Sequence, residues 1–198
     1  AKVTSTLFPA PADLSGVGDE LSLGAERVVA RSVPILHADF HEWQDLYDGP
    51  KFNLIHCDFP YGINVADGPR QNSSITEHYD DSPDVYWTLM GTLLRAMDNV
   101  VADSAHLIFW FSLHYYARTL KSLSEMGWTV DPFPLIWHKS DNAGVAPDPQ
   151  RKPRRTYETA FFASRGDRKL TQAGARSASF AYPGKLGDEA HMSAKPVP

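Results

Sequence analysis

Residues 53–64 read "NLIHCDFPYGIN". An apolar run through Leu54, Ile55 and Cys57 stops at a carboxylate, Asp58, and the chain continues Phe59, Pro60, Tyr61, Gly62. A short apolar run bounded by turn formers predicts a strand, and this one is apolar enough to be central in a sheet. In open α/β sheets, ligand sites lie beyond the carboxyl ends of strands. The stretch therefore poses the question on which the reading of the chain turns: whether Asp-Phe-Pro-Tyr-Gly is a turn or a site. As five residues it reads equally as either.

Working outward, "ERVVARSVPILHAD" (26–39) predicts a preceding strand ending at Asp39, and "FHEWQDLY" (40–47) a short helix. Asp39 would then stand at a strand end as Asp58 does, or cap the helix. Residues 62–84 are polar and long for a loop, a length that often accompanies function. "SPDVYWTLMGTLLRAMDNVV" (82–101) predicts a helix with Ser82 as N-cap and Pro83 in the first turn. "AHLIFWFS" (105–112) is a second strand, and "LHYYARTLKSLSEMGW" (113–128) a helix ending near Gly127. "TVDPFPLIWHKS" (129–140) and "RTYETAFFASRG" (155–166) are two more strands joined by a polar, basic loop. Alternating strands and helices predict an α/β fold with a mostly parallel sheet. The last two strands, with no helix between them, predict an antiparallel hairpin at one edge. Residues 1–25, rich in Pro, Gly and Ser, read as an irregular arm, leaving 26–198 as one domain.

Composition bounds the function. Of 198 residues one is cysteine, so neither a disulfide framework nor a zinc cluster is expected, and the expected compartment is a reducing cytoplasm. The histidines at 37, 56, 106, 114 and 138 fall at no metal-ligand spacing, and no metal is expected. No run of eighteen apolar residues predicts a membrane span. The net charge of −5 does not advertise a nucleic-acid binder, but "QRKPRR" (150–155) and "SRGDRK" (164–169) concentrate positive charge locally. Such clusters read as a solvated loop or as a face that contacts phosphate.

Taken in series, these segments resemble the S-adenosylmethionine-dependent amino-methyltransferases that act on DNA. Residues 58–61 resemble that family's Asp-Pro-Pro-Tyr signature. "LHADFHEW" (36–43) precedes it, and "LIFWFS" (107–112), "LIWHKSDNAG" (135–144), "RRTYETAFFASRG" (154–166) and "HMSAKPVP" (191–198) follow, in the order of the beta subgroup. The resemblance covers residues 28–198 and implies a Rossmann-like methyltransferase sheet, incomplete at the C-terminus. It implies methyl transfer to adenine N6 in flipped-out DNA bases, with S-adenosylmethionine as cofactor and DNA as partner. Homodimers are common in the subgroup. By this resemblance Asp58 accepts one N–H of the target amine through its side chain, the Phe59 carbonyl accepts the other, Pro60 stiffens the turn and Tyr61 stacks on the base. Asp39, His191, Ser193 and Lys195 fall to the cofactor, and Trp137 to the cofactor edge or the base pocket, or equally to the core. Lys139, Arg151, Lys152, Arg154 and Arg155 fall to DNA, and Glu158 is expected to pair with Arg154 or Arg155.

The sequence departs from the family in three places. Phe59 stands where Pro is usual, Met192 and Ala194 replace Pro and Gln, and the Gly-rich Phe-x-Gly-x-Gly cofactor loop is absent. The last departure implies a chain that stops before the cofactor half. Between 166 and 191 there is room for a short insert only, which implies low or short sequence specificity. Cytosine N4, a protein glutamine amide, and a non-catalytic nucleic-acid-binding remnant are the alternatives to adenine N6.

Overall fold

A computed structural model describes residues 20–23, 26–29, 36–64, 80–144, 148–170 and 176–184. Its centre is a six-stranded sheet. β3 (Phe52–Asp58), β4 (Val101–Phe111), β7 (Tyr157–Arg165), β6 (Leu135–Lys139) and β8 (Ser179–Tyr182) lie side by side in that order, and the short β5 (Thr129–Val130) also pairs with β7. β1 (Glu20–Leu23) and β2 (Glu26–Val29) form a separate antiparallel pair.

Two helices begin where the sequence supplies a capping side chain. α1 (Phe40–Leu46) starts at Asp39, whose carboxylate accepts the His41 N–H at 2.7 Å. α2 (Pro83–Val100) starts at Ser82, whose hydroxyl accepts from the Val85 N–H, with Pro83 supplying a preset φ in the first turn. Its Tyr86, Leu89, Met90, Leu93, Met97 and Val100 recur at helical spacing and are buried. A 3₁₀ turn (Leu113–Tyr115) leads into α3 (Tyr116–Glu125).

All three helices pack into one apolar cluster on one face of the sheet, against Ile55, Cys57, Ala105, Leu107, Phe109, Phe111 and Phe161. Strand residues alternate between faces. The opposite face therefore takes the intervening side chains, and there a smaller cluster forms from Trp110, Trp137 and Ala160. Two layers of packing on one twisted sheet give the strand ends between them a fixed frame.

The α/β class matches the sequence reading, with five corrections. The sheet is mixed: β3–β4 and β6–β8 are parallel, whereas β4–β7, β5–β7 and β6–β7 are antiparallel. β7 returns from β6 without a helical crossover and inserts between β6 and β4, so every pairing it makes runs opposite. Second, the β6–β7 hairpin is not at an edge, because β8 continues the sheet beyond β6. "SFAY" (179–182) gives little signal, being four residues long and exposed at each position. Third, β3 stands at one end of the described strand order rather than in the middle. Fourth, the strand expected to reach Asp39 is described only over Glu26–Val29, and Leu36–Asp39 has no strand structure. Asp39 instead satisfies an orphan N–H of the first helical turn. Fifth, within the arm expected to be irregular, Glu20–Leu23 is a strand.

Candidate active site

β3, β4, β6 and β8 run in one direction and β7 against them, so four carboxyl ends and the amino end of β7 meet at one edge. Register then lines up side chains on the face away from the helices. Asp58, the last residue of β3, lies beside Trp110 of β4, which lies beside Ala160 of β7, which lies beside Leu135 of β6. Two residues further toward that edge, Glu158, Trp137 and Phe180 form the next row. Residues directly opposite across a ladder share a face. Trp110 and Trp137 are 5% and 1% exposed, with ring centroids 6.3 Å apart at 81°, an edge-to-face pair. Trp110 donates its indole N–H to His56 Nε2 at 2.7 Å, which fixes that nitrogen as acceptor.

The loop after Asp58 splits its side chains between the two faces. Phe59 turns into the helix-covered core, 2% exposed, with its ring edge-on to Phe109 at 5.4 Å. This accounts for the residue that departs from the Asp-Pro-Pro-Tyr pattern: its side chain is a core anchor. Tyr61 goes the other way and packs against the Trp110–Trp137–Ala160 cluster. Its hydroxyl donates to Glu158 Oε2 at 2.9 Å.

Gly62 closes the turn at φ +67°, where a Cβ would stand 2.9 Å from Cβ of Tyr86. Its N–H donates to Asp81 Oδ1 at 2.7 Å, and its carbonyl accepts the Tyr115 hydroxyl at 2.8 Å. Asn64 donates its N–H to the Asp81 carbonyl at 3.0 Å. Asp81, just before α2, is only 6% exposed. The loop is thus clamped from the start of α2 and from the 3₁₀ turn, and a reacting geometry needs this kind of support. Replacing Asp81 by alanine strands a buried N–H and is expected to cost about 1–3 kcal/mol. Urea unfolding measures this, and an unchanged midpoint would rule out the clamp.

Cys57, one residue before Asp58, points into the helix-covered core. Burial, and secondarily the charge of Asp58, pushes its thiol up to about 12. The thiolate is the reactive form. Iodoacetamide near neutral pH is therefore expected to label Cys57 only when denaturant opens the fold. Labelling of the native protein at the rate of a free thiol would contradict this.

The remaining sequence-predicted residues divide. Lys139, expected at DNA, is paired with Glu158 Oε1 at 2.6 Å, and each side chain is 17% exposed. Its ammonium lies 5.0 Å from the Trp137 ring centroid. Glu158 therefore pairs with Lys139 and Tyr61 rather than with Arg154 or Arg155, because its side chain lies on the cluster face beside Trp137. Trp137 is core to that cluster, and its indole N–H donates to the Tyr182 carbonyl at 3.1 Å.

Arg151 pairs with Asp148 at 3.2 Å and Arg154 donates to the Gly144 carbonyl at 3.4 Å. With Lys152 and Arg155 they lie exposed in the β6–β7 connection, at the same sheet edge as Asp58. Asp39 is committed to the α1 cap through one oxygen. His191, Ser193 and Lys195 lie outside the described residues. Asp81, Tyr115 and His56 were not singled out for the site from sequence. Their contacts join positions 19, 53 and 54 residues apart, for which local patterning carries no signal.

No family model matches the chain, and no curated protein matches it. Among solved structures it is similar to the M1.HpyAVI–SAM complex, at 17% identity and a TM-score of 0.44, over 58% of this chain and 57% of that one. A second structure of M1.HpyAVI matches at 15% identity and a TM-score of 0.40, over 48% of this chain and 51% of that one. The matches thus span little more than half the length of those chains. Among the described residues no helix is long and apolar enough to cross a membrane.

Proposed function

We propose that the protein transfers a methyl group from S-adenosylmethionine to adenine N6 in DNA. The observation that carries the reading is the placement of Asp58 at a strand's carboxyl end, followed by a clamped turn that sets Tyr61 on the same face. An exocyclic amine is a poor nucleophile, because its lone pair is delocalised into the ring. Acceptors on both N–H groups favour a pyramidal nitrogen and release that pair, and acceptors fixed in advance do so without reorganisation. Asp58 supplies a side-chain oxygen and Phe59 a backbone carbonyl.

A base stacked in a duplex is out of reach of such a site, and turning it out costs a few kcal/mol. Stacking on an aromatic ring returns about 1–3 kcal/mol, a role for Tyr61. The exposed Arg151, Lys152, Arg154 and Arg155 stand at the same edge to contact phosphate. S-adenosylmethionine supplies the electrophilic methyl group.

The test is to incubate the protein as encoded by its gene with DNA and labelled S-adenosylmethionine, then digest to nucleosides. N6-methyladenine is the expected product. N4-methylcytosine, or DNA binding without any transfer, overturns the assignment.

A further inference from the structure

Glu158 divides its two oxygens between two tasks. Oε1 meets the Lys139 ammonium at 2.6 Å and Oε2 accepts the Tyr61 hydroxyl at 2.9 Å. A cross-strand ion pair would need only the first. The second contact joins residues 97 apart in sequence and ties the turn after β3 to β7, on the far side of β4.

The group that holds Tyr61 is itself held. Lys139 and Glu158 are both mostly buried, so each charge needs the other. Lys139 also stands near the Trp137 ring, whose indole is fixed by the Tyr182 carbonyl of β8. A continuous set of contacts therefore runs from β8 through β6 and β7 to the phenol of Tyr61.

We propose that Glu158 is a positioning residue that sets the plane of the Tyr61 ring, and that Lys139 holds its carboxylate in place rather than contacting DNA. The inference rests on the methyl-transfer reading above, in which the ring receives the target base. A ring packed only by apolar neighbours can rock about its side-chain torsions. A charge-assisted hydrogen bond at the far end of the phenol restrains that rocking. Because the hydroxyl is spent on Glu158, Tyr61 meets the base with its face and not with a polar edge.

The variants are Tyr61→Phe, Glu158→Ala, Glu158→Gln and the double Tyr61→Phe/Glu158→Ala. Each is assayed for kcat and KM in methylation and for urea unfolding, in the protein as encoded by its gene. Tyr61→Phe and Glu158→Ala are each expected to lower kcat about tenfold, the equivalent of one hydrogen bond, with KM for DNA little changed. The double variant should fall no further than Glu158→Ala alone. Glu158→Gln, whose amide oxygen still accepts from the hydroxyl, should recover most of the lost rate.

Independent losses that multiply in the double variant, or a normal kcat in Glu158→Ala, overturn the inference. The unfolding data must also show coupling between positions 61 and 158, and zero coupling overturns the inference whatever the reaction. If Glu158→Ala does not fold, Glu158→Leu/Lys139→Met replaces the pair with apolar groups and keeps the kinetic test open. Failure of the unaltered protein to transfer any methyl group overturns the methyl-transfer reading instead.

Discussion

Asp58→Ala is expected to lower kcat for methyl transfer by about 10²–10³-fold, the usual loss when one preorganised hydrogen-bonding group is removed from a reacting centre. The cooperative unfolding transition should persist. Asp58 is the terminal residue of β3, and its side chain lies on the face away from the helices, so its loss leaves the main apolar cluster intact. Asn at the same position keeps one side-chain oxygen and should fall between alanine and the native residue. The measurement is single-turnover transfer of labelled methyl to duplex DNA, with circular dichroism on the same samples. An alanine variant that folds and transfers at the native rate removes Asp58 from the chemistry, and the proposed mechanism with it.

Phe59→Pro gives the second large effect, and in the opposite sense to what motif comparison suggests. The substitution completes an Asp-Pro-Pro-Tyr signature, yet it is expected to destabilise the fold by about 3–5 kcal/mol, as loss of a buried aromatic does. Phe59 is 2% exposed and lies edge-on to Phe109 and near Phe40, in the cluster that joins α1 and α2 to the sheet. Proline fills little of that volume and also removes a backbone donor next to a strand end. Phe59→Leu, which keeps most of the apolar bulk, should cost much less. Urea unfolding separates the cases, and a proline variant within about 1 kcal/mol of native stability would show that Phe59 anchors nothing.

The legible parts of the chain were those with a local period. β3, β4 and the β6–β7 pair read as apolar runs, and α2 read from Ser82, Pro83 and its helical spacing, because each signal lies within one element. Asp39 shows the limit. A carboxylate before "FHEW" has the same sequence whether it ends a strand or caps a helix, and the hydrogen bond to His41 decides it. β8 gives too short a signal to read, since its pairing with β6 and not its own composition makes it a strand.

At the site, the turn and its aromatic residue were visible in sequence, while its supports were not. Asp81 stands in "DDSPD", where any of several acids could serve a helix start. Only folding brings its carboxylate to the Gly62 N–H. The pairing of Glu158 was misassigned for a related reason. Arg154 and Arg155 are its neighbours in sequence, whereas Lys139 and Tyr61 are its neighbours across the sheet.

The alternation of β3 has a consequence for how this gene can change. Cys57 and Asp58 are adjacent in the chain and on opposite sides of the sheet, the thiol under the helices and the carboxylate facing Trp110. Point substitutions along 53–57 alter one side chain at a time. Deleting a single codon there with the strand's start held in place would exchange the two sides, placing a carboxylate among Leu93, Ala96 and Phe109 and a thiol in the place of His56, on the face that carries Trp110. This segment can therefore drift in composition but not in length, and related genes should align through it without a gap.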